Sequence, residues 1–234
     1  MDPSFDHVVV IGASAGGVPA LLEISGALPR FFAAPVCIVQ HVGNNPSLLP
    51  ELLRYRGANH AMHAEDGQQL TAGMLYVAPP DRHLLLVGDT LRLVHGCKEH
   101  HARPAIDPLF RSAALNWGPR VIGVILTGQM DDGAAGLKAV HDCGGTTIVQ
   151  DPETAAEPEM PRSALASVPA DHCVPLAEIA PLLQRLVGIP APVTSAPVPD
   201  TVIRDRLRAQ VASLAAMVNA GSEGLDGIEE DAPA

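Results

Sequence analysis

Aromatic residues are scarce in this chain. Phe, Trp and Tyr together make up only 3% of its 234 residues, although 47% of the residues are hydrophobic. A core must therefore be built mainly from Val, Leu, Ile and Ala, which is typical of parallel strands that are buried on both faces. The length is sufficient for one such core with an additional terminal segment.

Positive charge and long apolar runs are also in short supply. The chain has 15 Lys and Arg residues against 26 Asp and Glu, so its formal net charge is −11. Phosphate backbones would repel such a chain, which argues against nucleic acid as a partner. No apolar run is long enough to span a bilayer, and the N-terminus lacks the basic start of a signal peptide. We therefore expect a cytoplasmic protein without membrane insertion.

The order of the predicted elements indicates an α/β fold. Strands alternate with helices, which is typical of a parallel sheet covered by helices. We predict a doubly wound, mostly parallel sheet with helices on both faces and a small antiparallel hairpin that turns at Gly88 and Asp89. The predicted strands span 7–12, 35–40, 74–78, 83–87, 91–94, 121–127 and 145–149, and the predicted helices span 18–27, 46–56, 106–117, 133–143, 162–167 and 177–187.

The C-terminal part of the chain differs in composition from the rest. Residues 1–188 contain all of these elements and are predicted to form one domain. Four prolines make residues 189–200 a predicted linker. Apolar residues at helical spacing predict a helix over 201–220, and the acidic segment 221–234 is predicted to be disordered.

A glycine-rich turn follows the first predicted strand. Residues 12–17 are Gly-Ala-Ser-Ala-Gly-Gly and lead directly into a predicted helix. A serine on such a turn presents its hydroxyl beside free backbone N–H groups, as a nucleophile requires. Ser14 could instead cap the helix, which is a common role of serine at this position.

Two further strand ends carry residues that could assist a serine nucleophile. His41 follows the second predicted strand, and Asp131 and Asp132 follow the strand over 121–127. Because the carboxyl ends of parallel strands meet at one edge of a sheet, a Ser-His-Asp arrangement can assemble there. The spacing does not decide which aspartate orients the histidine, since either could cap the next helix.

A nucleotide site is the main alternative for the same turn. Its glycines lie where a Gly-x-Gly-x-x-Gly motif would be, but Ser14 replaces the second glycine. The acid that would bind a ribose at the end of the second strand is absent, because Gln40 and His41 stand there.

A cluster of potential metal ligands follows the hairpin. It lacks the second pair of ligands that a structural zinc site usually has, and a polar loop is the simpler interpretation. No metal and no cofactor are therefore predicted. The cluster consists of His95, Cys97, His100, His101 and Asp107.

Several ordered motifs together resemble the catalytic domain of the chemotaxis receptor methylesterases, the CheB family. The resemblance covers roughly residues 7–187, and its specificity comes from the number and order of the motifs. They are Ile11–Gly17, Gln40-His41, Tyr76–His83, Arg103–Asp107, Leu126–Gly128, Asp132–Gly136, Gln150-Asp151 and Met160-Pro161.

The resemblance implies a protein-glutamate methylesterase that works through an acyl-enzyme. Ser14 would be the nucleophile, His41 the general base and Asp132 the acid that orients it. The backbone N–H groups of Ala15 and Gln129 would bind the oxyanion. The same chemistry would deamidate glutamines.

Arg103 and Met130 are weaker candidates for substrate contact. The implied partner is the cytoplasmic helical region of methyl-accepting chemoreceptors, and no oligomeric state is predicted. An N-terminal receiver domain, typical of the family, is not expected because the first strand begins almost at Met1. A non-catalytic signalling scaffold with the same fold is the remaining alternative.

The chain departs from the family pattern next to the predicted nucleophile and the predicted acid. Ala15 stands where threonine is common, and Gln129-Met130-Asp131 replaces Met-Gly-Asn. Because backbone donors survive such changes, the chemistry is expected to survive as well.

Overall fold

The protein is described by a computed structural model over residues 5–42, 46–188, 201 and 205–212. Its main element is a seven-stranded sheet in the order β3-β4-β2-β1-β7-β8-β9, with every neighbouring pair parallel. The strands are β1 (Val8–Ala13), β2 (Val36–Gln40), β3 (His60–His63), β4 (Met74–Val77), β5 (His83–Val87), β6 (Thr90–Val94), β7 (Val121–Ile125), β8 (Thr146–Gln150) and β9 (His172–Val174).

Helices cover both faces of the sheet, which confirms the doubly wound α/β prediction. Alternate residues of β1 explain the two layers: Val9 and Ile11 pack with α1, α2 and α6, while Val8 and Val10 pack with α3, α4 and α5. The helices are α1 (Gly17–Ala27), α2 (Leu49–Arg56), α3 (Ile106–Trp117), α4 (Ala134–Asp142), α5 (Glu159–Ser167) and α6 (Leu176–Val187), and two short 3₁₀ turns span Gly118–Arg120 and Pro152–Thr154.

The central strand positions the site. The chain leaves β1 on one side towards β2 and later returns on the other side as β7, so the order of strands reverses beside β1. In such sheets the crevice outside the carboxyl ends of the strands at this reversal is where ligands bind. All six residues of β1 are buried, and each buried valine contributes about 1.5–3 kcal/mol to folding. The turn that follows β1 is therefore anchored by a fully buried strand.

The predicted hairpin forms, but as a separate two-stranded sheet. β5 and β6 pair antiparallel around Gly88 and Asp89. The hairpin docks on α3, because the Ser112 hydroxyl accepts the Leu86 N–H at 3.0 Å and the Trp117 indole donates to the Gly88 carbonyl at 2.7 Å. This packing orients α3, whose first turn lies at the site.

Two strands were missed by the sequence analysis, namely β3 and β9. Both form the edges of the sheet, and both are short, with four and three residues. His60, His63 and His172 interrupt the apolar pattern that identifies buried strands.

Residues 205–212 are helical, and their Leu207 and Val211 are buried. The predicted linker 189–200, the predicted tail 221–234 and the remainder of the predicted helix over 201–220, apart from residue 201, lie outside the described residues. Within the described part of the chain, no helix is both long enough and apolar enough to cross a membrane.

Candidate active site

Ser14 follows β1 directly and is held by three backbone contacts. Its N–H donates to the Thr127 carbonyl at 3.0 Å, and its carbonyl accepts from the Gly17 N–H at 2.9 Å and from Gln40 Nε2 at 2.8 Å. Helix α1 is capped by Gly16 at φ 74°, without a side-chain hydrogen bond. The serine hydroxyl is therefore not a helix cap.

Glycines let the backbone close around the serine. A Cβ on Gly128 would lie 2.8 Å from Ser14 Cβ, which is closer than two carbon atoms can approach. A Cβ on Gly17 would collide with the Gln40 carboxamide. The turn consequently packs against both neighbouring strand ends, which fixes the position of the hydroxyl.

His41 presents its ring to the serine from the end of β2. Its Nδ1 lies 3.1 Å from Ser14 Oγ, and its backbone N–H donates to the Ala13 carbonyl at 3.1 Å. Gln40 Nε2 donates to the carbonyl of His41 at 3.1 Å as well as to that of Ser14. The buried Gln40 side chain thus ties the two strand ends together, a role that the sequence analysis did not assign.

Asp132 contacts the other side of the same ring. Its Oδ2 lies 2.7 Å from His41 Nε2 and accepts the Ile106 N–H at 2.7 Å, while Oδ1 accepts the Asp107 N–H at 3.1 Å. Burial raises the pKa of this carboxyl, but the hydrogen bonds from His41 and from the backbone outweigh it, so the pKa of Asp132 is lowered overall. An ionised carboxylate is thereby held against the ring.

These contacts determine the proton positions that the ring needs. A carboxylate can only accept, so Nε2 carries the proton that faces Asp132. Nδ1 then has a free electron pair directed at Ser14 Oγ, as a general base requires. The ring is turned the opposite way from that of chymotrypsin, where Nε2 faces the serine.

The structure also separates the two aspartates that the spacing left open. Asp132 is buried and contacts His41, whereas the side chain of Asp131 is 62% exposed and lies 3.1 Å from His100 Nδ1. Neither side chain caps α4, whose N-cap is Gly133. Asp132 instead caps α3 from across the site, through the N–H groups of Ile106 and Asp107.

Two backbone N–H groups beside Ser14 are available to a ligand. Among the residues that the structure describes, the N–H groups of Ala15 and Gln129 have no hydrogen-bond acceptor. The Ser14 carbonyl, which accepts from Gly17 N–H and Gln40 Nε2, fixes the peptide that carries the Ala15 N–H. The Thr127 hydroxyl accepts the Glu157 N–H at 2.8 Å and donates to the Ala15 carbonyl at 3.0 Å, which fixes the next peptide, between Ala15 and Gly16. These are the two donors that the family resemblance implied for an oxyanion.

Met130 occupies a strained position at the mouth of the site. Its φ is 68°, which is unusual for a residue with a long side chain. Helix α5 holds this conformation: Glu159 Oε2 accepts the Met130 N–H at 3.0 Å, and the Ser163 hydroxyl donates to its carbonyl at 3.2 Å. The side chain is left 52% exposed.

Arg103 is engaged in a different contact from the one the sequence suggested. Its Nε and Nη2 donate to Asp81 Oδ1 at 2.8 and 2.6 Å, and Nη1 donates to the Gly96 carbonyl at 2.6 Å. All three guanidinium nitrogens are therefore used to fasten the segment after the hairpin. A substrate carboxylate would have to displace Asp81 to reach them.

The cluster that raised the metal hypothesis is dispersed by the fold. Of its members, only His100 and Asp107 join a group that could hold a metal within the described residues, together with Asp132. The carboxylate oxygens of that group already accept protein hydrogen bonds: Asp107 Oδ1 takes the Gly136 N–H at 2.6 Å, and Asp107 Oδ2 lies 3.1 Å from His100. These side chains therefore form a hydrogen-bond network in this structure.

The fold and the site together define a class of protein. A doubly wound parallel sheet carries Ser14, His41 and Asp132 in one chain of hydrogen bonds at its carboxyl edge. This is the arrangement by which serine hydrolases are recognised, irrespective of the order of the three residues along the chain.

Comparison with known proteins identifies the family. The family model described as CheB methylesterase matches residues 9–183. The crystal structure of the Thermotoga maritima CheB methylesterase catalytic domain matches with a TM-score of 0.74 at 35% identity, covering 77% of this chain and 98% of that one. The chain therefore belongs to the CheB methylesterase family, as its motifs suggested.

Two curated relatives have similar identity but different lengths. A Leptospira interrogans protein, named as a candidate protein-glutamate methylesterase/protein-glutamine glutaminase, is 41% identical over 186 residues, which are 77% of this chain and 94% of that protein. Protein-glutamate methylesterase/protein-glutamine glutaminase 2 of Anaeromyxobacter dehalogenans is 39% identical over 181 residues. The match covers 77% of this chain but 53% of the Anaeromyxobacter protein, so this chain corresponds to about half of that relative.

Proposed function

We propose that the protein is a serine esterase that hydrolyses glutamate methyl esters on chemoreceptors. The observation that carries this proposal is the continuous chain from Ser14 Oγ through His41 to Asp132, with distances of 3.1 and 2.7 Å. Family membership supplies the substrate, since the relatives are named protein-glutamate methylesterases. It also argues against a nucleotide site on the Ser14 turn.

Acylation follows from the geometry. His41 Nδ1 takes the hydroxyl proton as Ser14 Oγ attacks the ester carbonyl carbon, and the carbonyl oxygen becomes an oxyanion. The free N–H groups of Ala15 and Gln129 hold that oxyanion, and such a donor is typically worth about a hundredfold or more in rate. Asp132 stabilises the imidazolium that forms.

The departure of methanol completes acylation, and water then carries out deacylation. The C–O bond to the methoxy group breaks, His41 gives its proton to the departing oxygen, and methanol leaves. Water attacks the acyl carbon while His41 takes a proton from the water. The bond between the acyl carbon and Ser14 Oγ then breaks, His41 returns the proton to Oγ, and the glutamate carboxylate is released. A glutamine substrate would lose ammonia in place of methanol and yield the same acyl-enzyme.

Substrate contact is assigned to the mouth of the site. Met130 presents an exposed thioether beside the Gln129 N–H, and its strained backbone is held by α5. Such an apolar group suits contact with the side of a receptor helix, so the cytoplasmic helical region of methyl-accepting chemoreceptors is the proposed partner. The cytoplasm is accordingly the proposed location of the enzyme. Arg103 contributes by fixing the segment before α3.

Methanol release from methylated receptor tests the proposal. Wild-type protein should release methanol, and Ser14→Ala should release none above background. Ser167→Ala should match the wild type, because Ser167 lies at the far end of α5, where its hydroxyl donates to the Ser163 carbonyl. A well-folded wild-type protein that releases no methanol from any methylated receptor would favour the non-catalytic scaffold.

A further inference from the structure

His100 makes two contacts that a neutral imidazole cannot satisfy at once. Its Nε2 lies 3.1 Å from Asp107 Oδ2, and its Nδ1 lies 3.1 Å from Asp131 Oδ1. Ionised carboxylates accept hydrogen bonds but do not donate them, and a neutral imidazole has only one N–H group. The doubly protonated ring, which carries a positive charge, donates to both carboxylates at once in their ionised form.

The surrounding charges support this assignment. Around His100 stand Asp107 and Arg111 from α3, Asp131 and Asp132 from the loop before α4, and Glu99 from its own segment. Three of these carboxylates raise the pKa of His100 above its ordinary value, although partial burial acts in the other direction.

Asp107 and Asp132 are the reason that a cation is needed here. Both are buried, and the backbone N–H of Asp107 donates to Asp132, so the two carboxylates are close neighbours. Burial and the charge of Asp132 raise the pKa of Asp107. Arg111 Nη1 lies 3.5 Å from Asp107 Oδ2, whereas Arg111 Nη2 forms the shorter ion pair, at 2.5 Å, with Glu99 Oε2. His100 supplies charge on the side that faces the catalytic loop.

The backbone around His100 is shaped for this contact. Glu99 and Ala102 exchange two hydrogen bonds, at 3.2 and 2.8 Å, around a two-residue turn. Both residues of the turn are left-handed, with φ 48° at His100 and 60° at His101, a conformation usually left to Gly or Asn. The turn directs the His100 ring between the two carboxylates.

We propose that His100 is a positioning residue whose imidazolium joins Asp107 to Asp131 and balances the charge around the catalytic Asp132. It touches no reacting atom. With the cation present, the loop that carries Asp132 is held against α3. Without it, the negative charge beside Asp132 is uncompensated, and such charge favours the protonated form of a neighbouring base. This inference rests on the proposed role of Ser14, His41 and Asp132 as a triad.

The test uses the pH dependence of Ser14 labelling by a fluorophosphonate, which requires no receptor. Asparagine tolerates the left-handed turn, so His100→Asn should preserve the backbone. In this variant the acidic limb of the plot of labelling rate against pH should move to higher pH by about half a unit to one unit. His100→Lys should restore the limb because it restores a positive charge. The control is His141→Asn, which removes an exposed histidine–aspartate contact of 3.5 Å at the other end of α4 and should leave the profile unchanged.

A second readout does not depend on activity. In ¹⁵N-labelled full-length protein near neutral pH, the His100 ring, assigned by its loss in His100→Asn, should show both nitrogens protonated. A neutral ring would overturn the proposal. A uniform fall in labelling at every pH, without a shift of the limb and without rescue by lysine, would also overturn it. If receptor demethylation fails while Ser14 labelling persists, the proposed substrate is wrong and the role of His100 still stands.

Discussion

The His41–Asp132 pair and the His100–Asp107 pair lie side by side and consist of the same two kinds of side chain. In both pairs the aspartate is buried and the histidine is partly exposed, by 20% at His41 and 29% at His100. The difference lies in the second ring nitrogen. At His41 it faces the Ser14 hydroxyl, whereas at His100 it faces a second carboxylate, Asp131.

That single difference separates the proposed base, His41, from the proposed fixed charge, His100. A histidine with one carboxylate keeps a lone pair that can accept a proton. A histidine between two carboxylates has both nitrogens committed as donors and cannot act as a base. The comparison therefore predicts that replacing the histidine by a neutral amide side chain will have very different effects in the two pairs.

Replacing His41 should have the largest effect. His41→Gln removes the base that faces Ser14, and loss of such a residue costs about 10³-fold or more in kcat. Methanol release and fluorophosphonate labelling should fall together, while the far-ultraviolet circular dichroism stays as in the wild type. The matched change, His100→Asn, should retain most of the plateau rate. Equal losses in the two variants would break the distinction between the pairs.

The adjacent aspartates provide the next contrast. Asp132→Asn should lower kcat by about 10³- to 10⁴-fold, because the amide can no longer hold the ring with its proton on Nε2. Asp131→Asn should change kcat by no more than a few-fold, since within the described residues the only hydrogen-bond partner of the Asp131 side chain is His100. Steady-state methanol release compares the two. An Asp131 variant that is as impaired as the Asp132 variant would show that the assignment of the acid is wrong.

Gln40 supports only the first pair, so its removal should be selective. Gln40→Ala deletes the two hydrogen bonds that join the Ser14 and His41 carbonyls. A displacement of catalytic groups by a fraction of an ångström can lower the rate by about ten- to a hundredfold. Gln184→Ala is the control, because Gln184 donates to the Ala27 carbonyl on the exposed side of α6. The His100 ring nitrogens should be unaffected in both variants.

The pKa values of the two buried aspartates are shifted in opposite directions, and the resulting effect on stability is the smallest of those predicted here. The pKa of Asp132 lies below the usual value for aspartate, and that of Asp107 lies above it. A lowered pKa adds stability above about pH 4, the pKa of an unfolded aspartate, and that stability is lost as the pH falls through the folded value. The contribution of Asp107 to the pH dependence of stability has the opposite sign. Because its pKa is raised, it adds stability as the pH falls through the folded value. A ¹³C carboxyl NMR titration would show which of the two aspartates has the lower pKa. A lower pKa for Asp107 than for Asp132 would contradict the prediction.

The sequence predicted the central part of the molecule well because its signals are local there. The apolar runs of β1, β2 and β7 identify buried strands. Ser14 and His41 follow β1 and β2 directly, and Asp132 lies in the loop between β7 and α4. The edge strands β3 and β9 lack such runs and were missed. The roles of Gln40 and His100 were also missed, because they depend on carbonyls and carboxylates that only the fold brings near. The cluster after the hairpin, with His100 and Asp107, was visible in the sequence, but the second partner of His100, Asp131, lies 31 positions further along the chain.

The most direct test of the account is to locate the adduct that a fluorophosphonate forms with the wild-type protein. Peptide mass spectrometry should find one modified residue, Ser14, with labelling abolished in His41→Gln and retained in His100→Asn. Modification of another residue, or labelling of Ser14 at the wild-type rate in His41→Gln, would contradict the assignment of His41 as the base and Ser14 as the nucleophile.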